Sequence, residues 1–210
     1  MRLDIHIHTT AFSHCSTMSP DEMMESALRK GLDGVCITEH DKMWSPRDAQ
    51  ALSDKHGLAV FRGMEITTTG GDILVFGVEK EPGVMLTPQA VRRQVDDARG
   101  VAIAAHPFRG FLLFGFSALQ MDLAQAADNP TFASVQGLEV CNGLVTQDEN
   151  ELAHKVADVL GLLKVGGSDA HRPEAVGTCV MSFDDVLKTE RELIDAVLGG
   201  AYRLEGPNGK

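Results

Sequence analysis

His6 and His8 stand two residues apart in the run Asp4-Ile5-His6-Ile7-His8-Thr9. Side chains alternate along an extended strand, so both imidazoles share one face at a spacing that can chelate a single cation. So short a motif recurs by chance, and it gains weight only from repetition. The repetition is present. Glu39, His40 and Asp41 follow Val35-Cys36-Ile37, Glu65 follows Val60-Phe61, and His106 follows the apolar run 101–105. Glu139 follows Val135, and Asp169 and His171 follow Val165-Gly166-Gly167. Buried without partners, these imidazoles and carboxylates would each be costly, whereas divalent cations satisfy them together. The chemistry such a set supports is hydrolysis by metal-activated water.

Positioning these groups requires elements that bring strand ends together. Apolar strands at 3–8, 34–38, 58–66, 72–78, 101–105, 135–141 and 162–165 alternate with helix-period segments at 19–31, 46–56, 87–99, 148–160 and 183–198. Ser19-Pro20 and Thr87-Pro88 supply caps with proline at the first helical position. The alternation is the signature of a largely parallel sheet, and about seven strands suit an α/β barrel. In such a barrel every strand-end position above falls on the carboxyl-terminal face, where barrel enzymes place their active sites. The least regular connection, 108–132, contains Phe111-Leu112-Leu113-Phe114-Gly115-Phe116 and is expected to form a lid or wall.

The 210 residues are expected to form a single domain, 1–210. A formal charge of −11 argues against long nucleic acid as a partner, although bound cations would offset part of it. Cys15, Cys36, Cys141 and Cys179 form no C-x-x-C pair, which favours reduced thiols over a disulfide framework. No apolar run approaches the length of a membrane span and the amino terminus lacks a signal-peptide segment, so no membrane partner and a cytoplasmic location are expected.

Together, Asp4-Ile5-His6-Ile7-His8-Thr9, Ile37-Thr38-Glu39-His40-Asp41, Gly63-Met64-Glu65, Ala105-His106-Pro107 and Gly167-Ser168-Asp169-Ala170-His171 resemble the motifs of the PHP (polymerase and histidinol phosphatase) superfamily. The resemblance spans nearly the whole chain. It implies a distorted (β/α)7 TIM-like barrel holding two or three divalent metals, manganese, iron or zinc, and hydrolysing phosphate esters. It further implies that His6, His8, Glu65 and Asp169 surround one metal, that Glu65 bridges to a second bound by His106, and that His40 and His171 serve a third. Two departures stand out. Where many relatives carry Asp or His, this chain has Ser13-His14-Cys15-Ser16, with Cys15 aligned to the ligand place and His14 competing for it. Where relatives carry a histidine after Gly70-Gly71, this chain has Asp72, and Glu139 is the other residue available to complete the second site. A carboxylate shifts preference toward manganese or iron, and a thiolate toward zinc.

Two close cations would hold a bridging hydroxide for in-line attack at phosphorus, with a histidine such as His171 protonating the leaving group. Arg109 and Arg172 flank the expected pocket, and a guanidinium offers bidentate contacts to phosphate. Arg109 is the favoured clamp, acting with Glu65, Asp169 and His171; Asp41 is expected to orient a ligand. The leading function is hydrolysis of a small phosphorylated metabolite or nucleotide. The alternatives are a nuclease or proofreading module and a metal-binding regulatory or structural domain with little turnover. His56 and His154 lie away from strand ends and receive no function.

Overall fold

A computed structural model of the chain describes residues 1–83, 86–110 and 122–206. Seven strands run in chain order: β1 (Arg2–Ile7), β2 (Gly34–His40), β3 (Ala59–Thr68), β4 (Gly71–Phe76), β5 (Val101–Ala104), β6 (Gly137–Asn142) and β7 (Leu163–Gly167). Two more, β8 (Val180–Phe183) and β9 (Tyr202–Glu205), complete a sheet of order β7-β6-β5-β4-β3-β2-β1-β8-β9. The sheet curls until β1 meets the end of β7: His8 N–H donates to Ala170 O at 2.9 Å, and Asp169 N–H to His6 O at 2.8 Å. The result is the expected distorted α/β barrel, nearly closed.

Helices α1 (Pro20–Arg29), α2 (Pro46–His56), α3 (Pro88–Asp97), α4 (Leu123–Ala127), α5 (Gln147–Leu160) and α6 (Glu190–Gly199) join the strands. Their ends are written locally. Ser19, Ser45, Thr87, Thr146 and Thr189 cap α1, α2, α3, α5 and α6 by accepting a backbone N–H of the first turn, while left-handed Gly57, Gly161 and Gly200 end α2, α5 and α6.

The expected pattern is corrected in three places. First, the sheet is less parallel than the alternation implied: β4 runs antiparallel to both β3 and β5, because the Gly70-Gly71 turn folds β3 directly back as a hairpin. Asp72 therefore reaches the functional rim from the start of its strand. Second, the helix expected over 183–198 begins only at Glu190; Phe183 belongs to β8, whose apolar residues pair with β1 and β9. Third, Cys141 and Cys179 are joined in a disulfide with Cα atoms 5.9 Å apart, whereas reduced thiols were expected. The pairing links residues 38 apart at the end of β6 and the start of β8, a proximity created only by the fold. In the irregular connection, α4 and a short 3-10 helix, Pro130–Ser134, are present. The apolar stretch 111–116 lies outside the described residues.

The interior of the barrel is filled by Leu3, Ile5, Cys36, Phe61, Leu74, Phe76, Ile103 and Val165, closed below by Leu193, Ile194 and Val197 of α6. Ile7, by contrast, packs outward with Met18, Met23 and Met24 around α1. Between Asp4 and Ile7 the register of β1 against β2 slips by a residue, and β6 slips likewise between Glu139 and Cys141. Such bulges re-aim side chains. Here the slip in β1 sends Ile7 outward after Ile5 has pointed inward and leaves His6 and His8, flanking Ile7, at the mouth of the barrel.

Candidate metal centre

Seven of the expected ligands converge at the barrel mouth, drawn from β1, β2, β3 and the segments after β5 and β7. Their ligand atoms form three overlapping clusters that can each hold a metal ion: His6, His8 and Asp169; His6, Glu65 and His106; and His8, His40 and His171. His40 and Glu65 are paired residues on neighbouring strands β2 and β3, which puts them at one height. The rings of His40 and His171 stack on that of His8, with centroids 4.3 and 4.4 Å away.

Glu65 lies between the clusters. Its Oε1 is 2.8 Å from His106 Nε2, while its Oε2 is 3.1 Å from both His8 Nε2 and His40 Nδ1 and 3.5 Å from His6 Nε2. Asp169 Oδ1 lies 3.4 to 3.5 Å from His6, His8 and His171. Glu65 Oε2 and Asp169 Oδ1 are nonetheless buried without a hydrogen bond. Ring nitrogens of His6, His8, His40 and His171 surround them. An ion bound among these nitrogens would give both oxygens a partner. The donor set of imidazole and carboxylate suits manganese, iron or zinc.

Behind these atoms stands a supporting layer. His6 Nδ1 is 2.9 Å from Glu139 Oε1, and the other Glu139 oxygen accepts from His106 N–H and from Asn142 Nδ2, each at 2.8 Å. Glu139 thus orients His6, a candidate ligand, and belongs to none of the three clusters. His171 Nδ1 donates to its neighbour Asp169 O at 2.8 Å. Buried Asp4 accepts from the N–H groups of Ser168 and Gly177 and fastens β1 to the loop after β7; burial, resisted by those bonds, raises its pKa to about 6.

The electrostatics of the cluster push its groups in opposite directions. Burial alone would lower the pKa of His6, but Glu139 and Glu65 raise it to about 10. Burial would raise Glu65, yet His6 and the surrounding imidazoles hold its carboxyl well below the usual range. His171 is lowered to about 4 by burial and then by the charges of His8, His40 and His6. Three residues here, Asp41, His106 and Asp169, have positive φ (54°, 29° and 56°), a strained conformation that side chains other than glycine adopt mainly where the surroundings impose it.

Arg109 pairs with Asp169 Oδ2 and lines a cavity of about 270 Å³ beside His106, bounded also by Asp72, Asn129, Thr131 and Phe132. Asp41 accepts from Thr67 N–H and so ties the end of β2 to β3. Cys15 is exposed in the loop after β1 and lies outside the three clusters; burial, with the charges of Glu65 and Glu39 adding, pushes its thiol up. His14 and Arg172 are exposed. His56 instead bonds Asp21 on the surface, and His154 lies beside Asp158. Sequence reasoning missed the roles of Ser13, Glu39 and Asn142. Glu39 was visible as a polar residue ending an apolar strand; nothing local marked Ser13 or Asn142.

Comparison with known proteins gives a consistent placement. The computed fold resembles a two-domain protein from Bacteroides vulgatus described as containing a predicted PHP-like metal-dependent phosphoesterase (TM-score 0.70, 18% identity, 98% of this chain and 64% of that one). It also resembles an amidohydrolase from Chromobacterium violaceum with bound sulfate (TM-score 0.64, 17% identity, 98% of each chain). A third likeness is to a lesion-specific endonuclease from Pyrococcus furiosus (TM-score 0.60, 18% identity, 98% of this chain and 58% of that one). In sequence, an uncharacterized protein of Methanocaldococcus jannaschii is 29% identical over 118 residues, 51% of this chain and 68% of that one. The PolC-type DNA polymerase III of Oceanobacillus iheyensis is 33% identical over 64 residues, 30% of this chain but only 4% of the polymerase. Residues 147–202 match the PHP-associated model, and residues 4–158, which include every candidate ligand except those after β7, match the PHP domain itself: the chain belongs to the PHP domain family.

Proposed function

We propose that the protein is a metal-dependent phosphoesterase acting on a small phosphorylated metabolite or nucleotide. The observation that carries this reading is the pair of buried, unbonded carboxylate oxygens, Glu65 Oε2 and Asp169 Oδ1, encircled by histidine nitrogens at the barrel mouth. His6, His8, His40, Glu65, His106, Asp169 and His171 would hold two or three divalent ions, manganese, iron or zinc. Bound there, such ions lower the pKa of water and offset charge developing on a phosphoryl group. Arg109, 39% exposed at the rim, can turn from Asp169 to grip a phosphate oxygen. His171, with Nδ1–H donated to Asp169 O, would offer Nε2 to an ion.

The cavity beside His106 is small and bounded by the carboxylate of Asp72, which favours a compact leaving group with hydroxyls over a run of phosphates. The net charge of −11 points the same way. A nuclease reading is favoured by the polymerase relative and the endonuclease neighbour, and the same experiment separates the two. Metal content of the purified protein is measured by elemental analysis. Hydrolysis of a chromogenic phosphate ester, a panel of nucleotides and sugar phosphates, and single-stranded DNA is then followed with each metal supplied. Two or three metals per chain with chelator-sensitive turnover of small esters supports the proposal; turnover of DNA alone selects the nuclease. Bound metal without turnover selects a regulatory domain, and absence of metal overturns all three.

A further inference from the structure

We propose that Ser13 and Glu39 act as a positioning pair that fixes His8 as the Nδ1–H tautomer, leaving Nε2 bare for a cation; this rests on the metal-binding reading above. Glu39 is fully buried at the end of β2 and receives four donors: Thr9 N–H at 3.0 Å, Thr9 Oγ1 at 2.5 Å, Trp44 Nε1 at 3.1 Å and Ser13 Oγ at 2.5 Å. Its oxygens therefore act as acceptors, and the single hydroxyl proton of Ser13 is committed to Glu39. A hydroxyl oxygen retains two lone pairs. One accepts His40 N–H at 3.2 Å, and the other faces His8 Nδ1, also at 3.2 Å. With no proton left on Ser13 to give, the bond to His8 forms only if Nδ1 carries the hydrogen.

At the other end of the ring, His8 Nε2 lies 3.0 Å from His6 Nε2, and His6 Nδ1 donates to Glu139. With Nδ1–H on His8, both Nε2 atoms can turn lone pairs to one cation, and in the chelated protein the contact is a hydrogen bond only when His6 is doubly protonated and donates from Nε2. The loop after β1 carries the clamp as a unit, because Ser13 N–H also donates to Thr9 O at 3.1 Å. A Ser13 that merely filled space would impose no preference between the ring nitrogens.

Ring-nitrogen NMR of protein labelled with 15N-histidine reads the tautomer directly, with the His8 signals identified by their loss in His8→Gln. The wild type is expected to show Nδ1–H at His8 both after chelation and with zinc bound. Ser13→Ala is expected to give a tautomer mixture after chelation and to weaken zinc binding, measured by competition with a chromophoric chelator, by about 10–100-fold. Ser13→Thr, which keeps the hydroxyl, should restore both. Nε2–H at His8 in the chelated wild type, or an unchanged tautomer and zinc affinity in Ser13→Ala, would overturn the proposal. Should Ser13→Ala fail to fold, the wild-type and Ser13→Thr spectra decide alone. A His8 bearing Nδ1–H in a protein that takes up no zinc would uphold the clamp while sinking the metal reading.

Discussion

Glu65 presents one oxygen to His106 and the other to His8 and His40, while Asp169 faces His6, His8 and His171 from the opposite strand end. Asp169→Ala and His8→Ala should each remove a metal and abolish metal-dependent turnover while circular dichroism remains that of a folded chain. Retained turnover after loss of metal would refute the proposed chemistry. The same groups make the metal-free protein sensitive to pH in a defined direction. His171 is held neutral down to about 4, whereas the unfolded chain takes up that proton near 6.5, so stability contributed here falls as pH drops from 6.5 toward 4. His6 is raised to about 10, and its contribution, complete below 6.5, is lost as pH rises through 10. Melting of the chelated protein across this range should show His171→Gln flattening the acid limb; an unaltered limb would show that His171 is not held neutral. The ligand types were legible in sequence because each ends an apolar run. Ser13 and Asn142 were not, since the role of a hydroxyl or amide depends on which acceptor the fold places beside it.

The strands themselves were found because buried strands read as apolar runs, and the helices because their caps are local signals. What local signals do not contain is direction. The reversal of β4 and the addition of β8 and β9 depend on pairing with distant segments, and so does the Cys141–Cys179 bond. That bond adjoins Asn142, whose amide holds Glu139 and approaches Asp169. Closing a loop of residues 38 apart restrains the unfolded chain by about 2–4 kcal/mol. Cys141→Ser with Cys179→Ser should therefore lower the melting temperature to the value of the wild type treated with a dithiol reductant. Equal melting with and without reductant would mean that the bond contributes nothing to stability.

The barrel closes where the end of β7 passes β1, and the closure tolerates no side chain at Gly167: a Cβ there would lie 2.4 Å from His6 Cβ and 2.8 Å from His6 N. Gly167→Ala should force the two strands apart, separating Asp169 from His6 and His8, and so lower metal content more sharply than melting temperature. A variant that keeps its full metal content would show the seam to be compliant. The sequence marked Gly166-Gly167 only as the end of a strand, because the need for a bare backbone arises from a partner far away in the chain.

Ser168 and Asp4, bonded across this seam, are 164 residues apart. A chain emerging from its amino end displays His6, His8, His40 and Glu65 long before Asp169 and His171 exist. The cluster of His6, His8 and Asp169 therefore cannot be built on an incomplete chain, and a cation held there is a signature that synthesis has passed residue 169 and that the two ends of the barrel have met.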